Sequence, residues 1–205
     1  MYRFFGLLAI FVCILFTLGC SLVAKQEWSE NYAKMEGVRA TSPQMIDGNV
    51  RTFGETAFPE GGQGFYGTSP ASEAIVTFPE KKVVRRVVIH AQNLKTFDVF
   101  ADKGAGDWRV IKEVKSVQPS PMDLSVSAPF PTDRIRVRVL ATTDDALVRR
   151  REQARTGGFG RFSGANRRAA GKIYEIAVYG YKAANEVSAQ SAEAQREKEL
   201  DELLK

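Results

Sequence analysis

Residues 134–140 read Arg-Ile-Arg-Val-Arg-Val-Leu, a stretch in which charged and apolar side chains alternate from Arg134 to Val139. Successive side chains of a β-strand point to opposite faces, so this spacing predicts a strand with one solvated face and one buried face. Residues 96–101, Thr-Phe-Asp-Val-Phe-Ala, repeat the alternation, with Phe97, Val99 and Ala101 on one face. Both stretches therefore predict strands that pack one side onto a core.

Similar short apolar runs recur along the chain and are separated by turn residues. The other predicted strands are residues 74–78, 83–90, 108–114, 124–128 and 173–179. No convincing helical period lies between these runs, whereas a parallel α/β sheet requires crossover helices. Seven or eight strands without such helices predict an all-β fold, an antiparallel sandwich or jelly roll.

The N-terminus has the features of an export signal. Residues 1–19 contain one arginine, then a short apolar run, and end in Gly19 directly before Cys20. The run is shorter than the roughly 20 apolar residues that a comfortable bilayer span needs. The stretch resembles a bacterial lipoprotein signal, although Thr17 stands where such signals usually have leucine. We predict a lipoprotein signal peptide at 1–19 and lipidation of Cys20; an ordinary cleaved signal and an uncleaved anchor are the alternatives.

Cysteine and histidine are scarce in the rest of the chain. The two cysteines are Cys13, within the predicted signal, and Cys20, so no pair is left for a disulfide. An exported domain without a disulfide must be held by its core or by a metal. The only histidine is His90, and no Cys/His cluster has the spacing of a zinc site.

The positive charge is local. The chain has a net charge of +5, and residues 149–168 contain seven arginines and one acid. We interpret 149–168 as a long Arg/Gly-rich loop, which is either functional or disordered. Its arginines suit carboxylates, sulfates or phosphates. Residues 20–36 are interpreted as a tether, and 182–205 as a polar helical tail, with an oligomerisation helix as the alternative.

Three segments together carry a family resemblance. They are Ala40-Thr41-Ser42 with Met-Ile-Asp-Gly-Asn-Val-Arg-Thr at 45–52, the run from Val87 to Trp108, and Ile-Tyr-Glu-Ile-Ala-Val-Tyr-Gly at 173–180. In this order and spacing they resemble the discoidin, or coagulation-factor type C, family, especially the bacterial family 32 carbohydrate-binding modules. The resemblance covers about residues 37–181. It implies an eight-stranded, galactose-binding-domain-like jelly roll with its N- and C-terminal strands side by side.

The resemblance also implies a structural calcium ion, because many bacterial members carry one where the first and third segments meet. Asp47 and Glu175 would supply carboxylate oxygens, Thr52 its hydroxyl and Asn49 its backbone carbonyl. Such mixed oxygen donors suit a hard cation. The alternative is that Asp47-Gly48-Asn49 is simply a turn and Glu175 a surface strand residue.

Sugars bind such modules on loops at one end of the roll, through an aromatic platform and a few polar or basic side chains. The resemblance therefore directs attention to the loop 149–168 and to the end of the strand that contains the histidine, for which a half-exposed structural histidine is the alternative. The candidate ligand-binding residues are His90, Asn93, Arg151, Phe159, Arg161 and Phe162.

No enzyme signature is present: the sequence has no nucleophile elbow, no metal-hydrolase histidine pair and no phosphate loop. The paired acids Asp144 and Asp145 are predicted to point apart at a strand end. We predict a non-catalytic, membrane-anchored lipoprotein that recognises a carbohydrate or another cell-envelope ligand.

Two other functions fit the sequence. One is a structural or adaptor lipoprotein that binds a protein partner; the other is polyanion binding through the Arg-rich loop. Export argues against nucleic acid and leaves an acidic polysaccharide or lipopolysaccharide phosphate. Ser21 follows Cys20, in place of the aspartate that marks inner-membrane retention in many Gram-negative lipoproteins. The outer membrane is therefore the expected location.

Overall fold

The computed structural model describes residues 27–59, 71–155 and 168–182, which form two antiparallel β-sheets. The strands are β1 (Arg39–Ala40), β2 (Gly54–Glu55), β3 (Ser72–Lys82), β4 (Arg86–Ala91), β5 (Leu94–Asp102), β6 (Trp108–Val114), β7 (Met122–Ser125), β8 (Thr132–Thr142) and β9 (Lys172–Tyr179). The described residues also form three helices, which are the 3-10 helices Tyr32–Lys34 and Pro43–Met45 and the α-helix α1 (Asp145–Arg155).

One sheet has the strand order β1-β3-β8-β5-β6 and the other β2-β9-β4-β7. Every pairing is antiparallel, and the inner faces of the two sheets share one apolar core. The predicted antiparallel sandwich is therefore confirmed. The described residues contain nine strands where eight were expected; β1 and β2, of two residues each, lie outside the seven predicted runs.

The stretch 134–140 forms the middle of β8, which lies between β3 and β5. Ile135, Val137 and Val139 are buried in the core, as the alternation predicts. Of the arginines between them, Arg138 is exposed, whereas Arg136 is only partly exposed. The Arg136 guanidinium lies 4.6 Å from the ring centroid of Phe100, on the neighbouring strand β5. This cation–π contact thus covers part of the outer face of β8, which was predicted to be solvated.

The compact unit begins before the predicted domain boundary at residue 37 and spans Ser29–Gly180. Asn31 Oδ1 accepts hydrogen bonds from the backbone N–H of Ala33 at 3.0 Å and of Val178 at 2.9 Å. The Ser29 N–H donates to the Gly180 carbonyl at 3.0 Å. The segment read as the end of a tether is therefore part of the domain, since it runs beside the last strand.

Helix α1 corrects the prediction that only a loop follows β8. The Asp144 carbonyl accepts hydrogen bonds from the N–H groups of Leu147 and Val148, and the helix includes Arg149–Arg155 of the predicted Arg/Gly-rich loop. The Leu-Val-Arg-Arg-Arg-Glu-Gln-Ala run has good helix formers, a signal that the surrounding arginines and glycines obscured. Within the described residues, no helix is long and apolar enough to cross a membrane.

Several predicted features fall outside the described residues. They are the signal 1–19, the lipidation site Cys20, the loop residues 156–167 and the tail from residue 183 onward.

Candidate functional site

The four residues that the resemblance assigns to calcium lie in one corner of the sandwich, where the turn 47–52 meets β9. Asp47 Oδ1 accepts from the Asn49 N–H at 2.7 Å, and Asp47 Oδ2 accepts from the Thr52 hydroxyl at 2.7 Å. Glu175 Oε2 accepts from the Gly48 N–H at 2.9 Å. The Asn49 carbonyl also accepts from the Thr52 hydroxyl at 3.0 Å. The corner therefore joins the turn to the last strand through hydrogen bonds within the chain.

A fifth residue, Lys34, completes this corner. Its ammonium Nζ lies 2.8 Å from Glu175 Oε1 and donates to the Ile46 carbonyl at 3.0 Å. Sequence reasoning missed Lys34 because it lies in the segment read as a tether, where no local pattern sets it apart. Only the pairing of that segment with β9 brings it to Glu175.

A calcium ion at this corner would need oxygen donors that are free to coordinate it. Both carboxylate oxygens of Glu175 are engaged, one of them by a cation, and the Thr52 hydroxyl points its proton at Asp47. The Thr52 hydroxyl, together with the Asn49 N–H, holds the pKa of Asp47 below its ordinary value, so this carboxyl is charged at neutral pH. Among the described residues, no group of three or more His, Cys, Asp or Glu side chains is placed to hold a metal. As arranged, the corner does not fit a divalent cation, because the Lys34 ammonium would first have to leave.

His90 lies on β4 directly opposite Glu175 on β9 and is partly buried. Asn93 is 1% exposed, and its side chain bonds three neighbours. Its Nδ2 donates to Asp144 Oδ2 at 3.0 Å and to the Ala170 carbonyl at 3.1 Å. Its Oδ1 accepts from the Lys172 N–H at 2.8 Å. Asn93 thus connects the start of α1 to the start of β9 from inside the fold.

The predicted ligand loop is only partly described. Arg151 lies on α1 and is exposed, as are Arg149 and Arg150 beside it. Phe159, Arg161 and Phe162 lie outside the described residues. The paired acids do point apart: Asp145 is buried against Thr142, whereas Asp144 faces Asn93.

An aromatic surface that sequence reasoning did not single out as a site lies beside the corner; we call it the Phe53 platform and define it as Phe53, Tyr174, Lys172 and Gln92. Phe53 is 43% exposed and meets Tyr174 edge-on, with ring centroids 6.1 Å apart. Lys172 Nζ is 5.6 Å from the Phe53 centroid. The Tyr174 hydroxyl donates to Gln92 Oε1 at 3.4 Å. The sequence did contain one signal for this surface. The period-two pattern at the start of β9 places Lys172 and Tyr174 on the face opposite to the buried Ile173.

Comparison with known proteins relates this chain to others through its fold. No protein-family model matches the sequence, and no curated protein sequence does either. Chitosan-binding module 1 of the chitosanase/glucanase from Paenibacillus sp. IK-5 superposes with a TM-score of 0.50 at 13% identity, over 74% of this chain and 100% of the module. A truncated AlyQ with CBM32 and alginate lyase domains gives 0.51 at 11%, over 77% and 34%. The chain has the fold of the family 32 carbohydrate-binding modules.

Chitosan-binding module 2 of the same Paenibacillus enzyme, solved in complex with chitotriose, shares this family 32 fold. Its TM-score is 0.50 at 14% identity, over 73% of this chain and 100% of the module. The galactose-binding-like jelly roll expected from the three sequence segments is thereby confirmed. Identities this low show a common fold, so the ligand of this family 32 fold must be argued from its own residues.

Proposed function

We propose that this chain is a non-catalytic carbohydrate-binding lipoprotein of the cell envelope that holds its ligand on the Phe53 platform. The observation that carries the proposal is the exposed Phe53 ring with a cation and an amide within reach. Exposure alone does not mark a site, since Tyr181 is almost as exposed; Phe53 is distinguished by the Tyr174 ring and the Lys172 ammonium beside it. The family 32 fold supports the same function by analogy.

The platform matches the chemistry of a sugar ring. A pyranose has apolar C–H faces and a rim of hydroxyls, so it needs an aromatic surface flanked by hydrogen-bonding groups. Phe53 and Tyr174 supply the aromatic surface. Lys172 supplies donors and the Gln92 amide supplies both donors and an acceptor. Lys172 Nζ also lies 3.9 Å from Asp144 Oδ2, so its charge is shared with that carboxylate.

Replacing Phe53 by alanine is expected to weaken glycan binding at least about tenfold, which corresponds to roughly 1.4 kcal/mol of lost contact. The measurement is a glycan array followed by calorimetry with the full chain in detergent. The panel should include chito-oligosaccharides, galactosides and mannuronate oligomers. Tyr181→Ala is the matched control, because Tyr181 is a similarly exposed aromatic at 40%. Equal binding by the two variants, or no binding of any panel sugar by the unaltered protein, would reject the platform.

A second candidate function is binding of an acidic polymer through α1. Arg149, Arg150 and Arg151 are exposed, and the described residues place no carboxylate in an ion pair with them. A variant with these three arginines changed to serine serves as a second arm of the same experiment. If that variant alone loses salt-sensitive retention on heparin or polyphosphate, the ligand belongs to α1 and not to the Phe53 platform.

The proposal includes anchoring through a lipid on Cys20, in the outer membrane. The sequence before Cys20 supports it, and the compact unit begins at Ser29, a few residues beyond. Cys20→Ser is expected to abolish incorporation of a labelled fatty acid and to release the chain from the membrane fraction if the signal is still cut. Cys13→Ser is the matched control and should leave labelling unchanged. Labelling that survives in Cys20→Ser would refute the anchor.

A further inference from the structure

We propose that the Lys34 ammonium is a built-in cation that closes the corner between Asp47 and Glu175, in the place of a bound metal ion. Glu175 is only 7% exposed, and a carboxylate so nearly buried requires a positive partner. Lys34 Nζ provides it at 2.8 Å. The same ammonium takes the Ile46 carbonyl as a second oxygen partner at 3.0 Å. The Lys34 ammonium thus contacts oxygen atoms of two separate segments, as a structural metal ion would.

The backbone holds Lys34 in position for this contact. Lys34 ends the 3-10 helix Tyr32–Lys34, whose start is capped by Asn31 Oδ1. The same Asn31 oxygen accepts from the Val178 N–H of β9, three residues beyond Glu175. Two contacts with one strand therefore align the helix along β9. The backbone that carries Lys34 is thereby fixed beside the strand that carries Glu175.

The turn opposite is shaped to admit the ammonium. Gly48 has a φ of +83°, a region that side chains other than glycine rarely adopt. A Cβ on residue 48 would lie 2.6 Å from Lys34 Nζ. Glycine at this position thus serves both the left-handed turn and the close approach of the cation. A purely local turn would need only the first of these.

Lys34 consequently joins three parts of the chain that are far apart in sequence: the first described helix, the turn 46–48 and the last strand. The Lys34–Glu175 contact joins the segment nearest the proposed lipid anchor to the last described strand without a disulfide or a metal. Because the brace is part of the chain, we expect the stability of the domain to be independent of calcium.

The test compares thermal melts of the full chain in detergent under two conditions, one with EDTA and the other with millimolar calcium chloride. The unaltered protein is expected to melt at the same temperature in both. Lys34→Met keeps the stem and removes the charge, and should melt roughly 5 °C lower in EDTA. Calcium should restore part of that loss in the variant, since the nearly buried Glu175 carboxylate is then left without a cation beside it. Lys95→Met, at an exposed lysine of β5, is the matched control and should melt like the unaltered protein.

Three outcomes overturn the proposal. Calcium stabilisation of the unaltered protein would mean that a metal still closes the corner, and this arm needs no variant to fold. Equal melting temperatures of Lys34→Met and Lys95→Met would mean that the Lys34 ammonium does not stabilise the domain. A calcium-insensitive loss in Lys34→Met would leave Lys34 as an ordinary ion pair and not a substitute for a metal.

Discussion

Replacing Phe97 by alanine is expected to lower the free energy of unfolding by about 3–5 kcal/mol, the usual cost of removing a fully buried aromatic side chain. Phe97 is 0% exposed and heads the fully buried side chains by volume. It lies on β5, which pairs with β8 on one side and β6 on the other. Both neighbouring strands are hydrogen-bonded to β5, so they cannot collapse freely into the cavity.

The measurement for Phe97→Ala is denaturant unfolding followed by tryptophan fluorescence. Val110→Ala is the control, because Val110 lies on the adjacent strand β6 and is 48% exposed. Its cost should stay within about 0.5 kcal/mol. If the two variants were equally stable, the core would not lie between these sheets as described.

Replacing Asn93 by alanine is expected to destabilise the domain by about 2–4 kcal/mol, because it strips hydrogen-bond partners from groups that water reaches poorly. The Lys172 N–H and the Ala170 carbonyl would both lose their side-chain partner. The contact with Asp144 at the start of α1 would be lost as well. The connection between α1 and β9 should then loosen before the rest of the sandwich.

Thermal melting and hydrogen exchange measure the Asn93 effect, and Gln92→Ala is the matched control. Gln92 carries the same kind of amide one residue earlier but is exposed, so its removal should leave the melting temperature nearly unchanged. An Asn93→Ala protein that keeps its stability but no longer binds glycan would support the ligand role predicted from the sequence. It would contradict a structural role for Asn93.

The strands were predictable because their signal is local. The alternation at 96–101 and 134–140 survives in β5 and β8, and the bounds of β6 coincide with the predicted 108–114. One sheet face is buried and the other is not, so a period of two in the sequence is enough to identify a strand. Helix α1 was not predicted because it has only 11 residues and because three consecutive arginines interrupt any apolar period.

The candidate sites were less predictable because they join distant segments. The resemblance pointed to Asp47 and Glu175 as neighbours, and they do share a corner, but nothing near Lys34 in the sequence indicated that it would join them. The contact of Phe53 with Tyr174 likewise depends on the pairing of β2 with β9. Such contacts follow from register, and one residue of slip would turn each side chain to the other face.

The sequence by itself determined the short alternating strands, the one basic segment and the lack of a cysteine pair after residue 20 that could cross-link the domain. Tertiary structure alone decided which groups meet. Gly48 and Glu175 are 127 residues apart in the chain and hydrogen-bonded in the fold. The physical reason is that strand formation depends on neighbouring side chains, whereas the charge partner of a nearly buried carboxylate depends on how the whole chain closes.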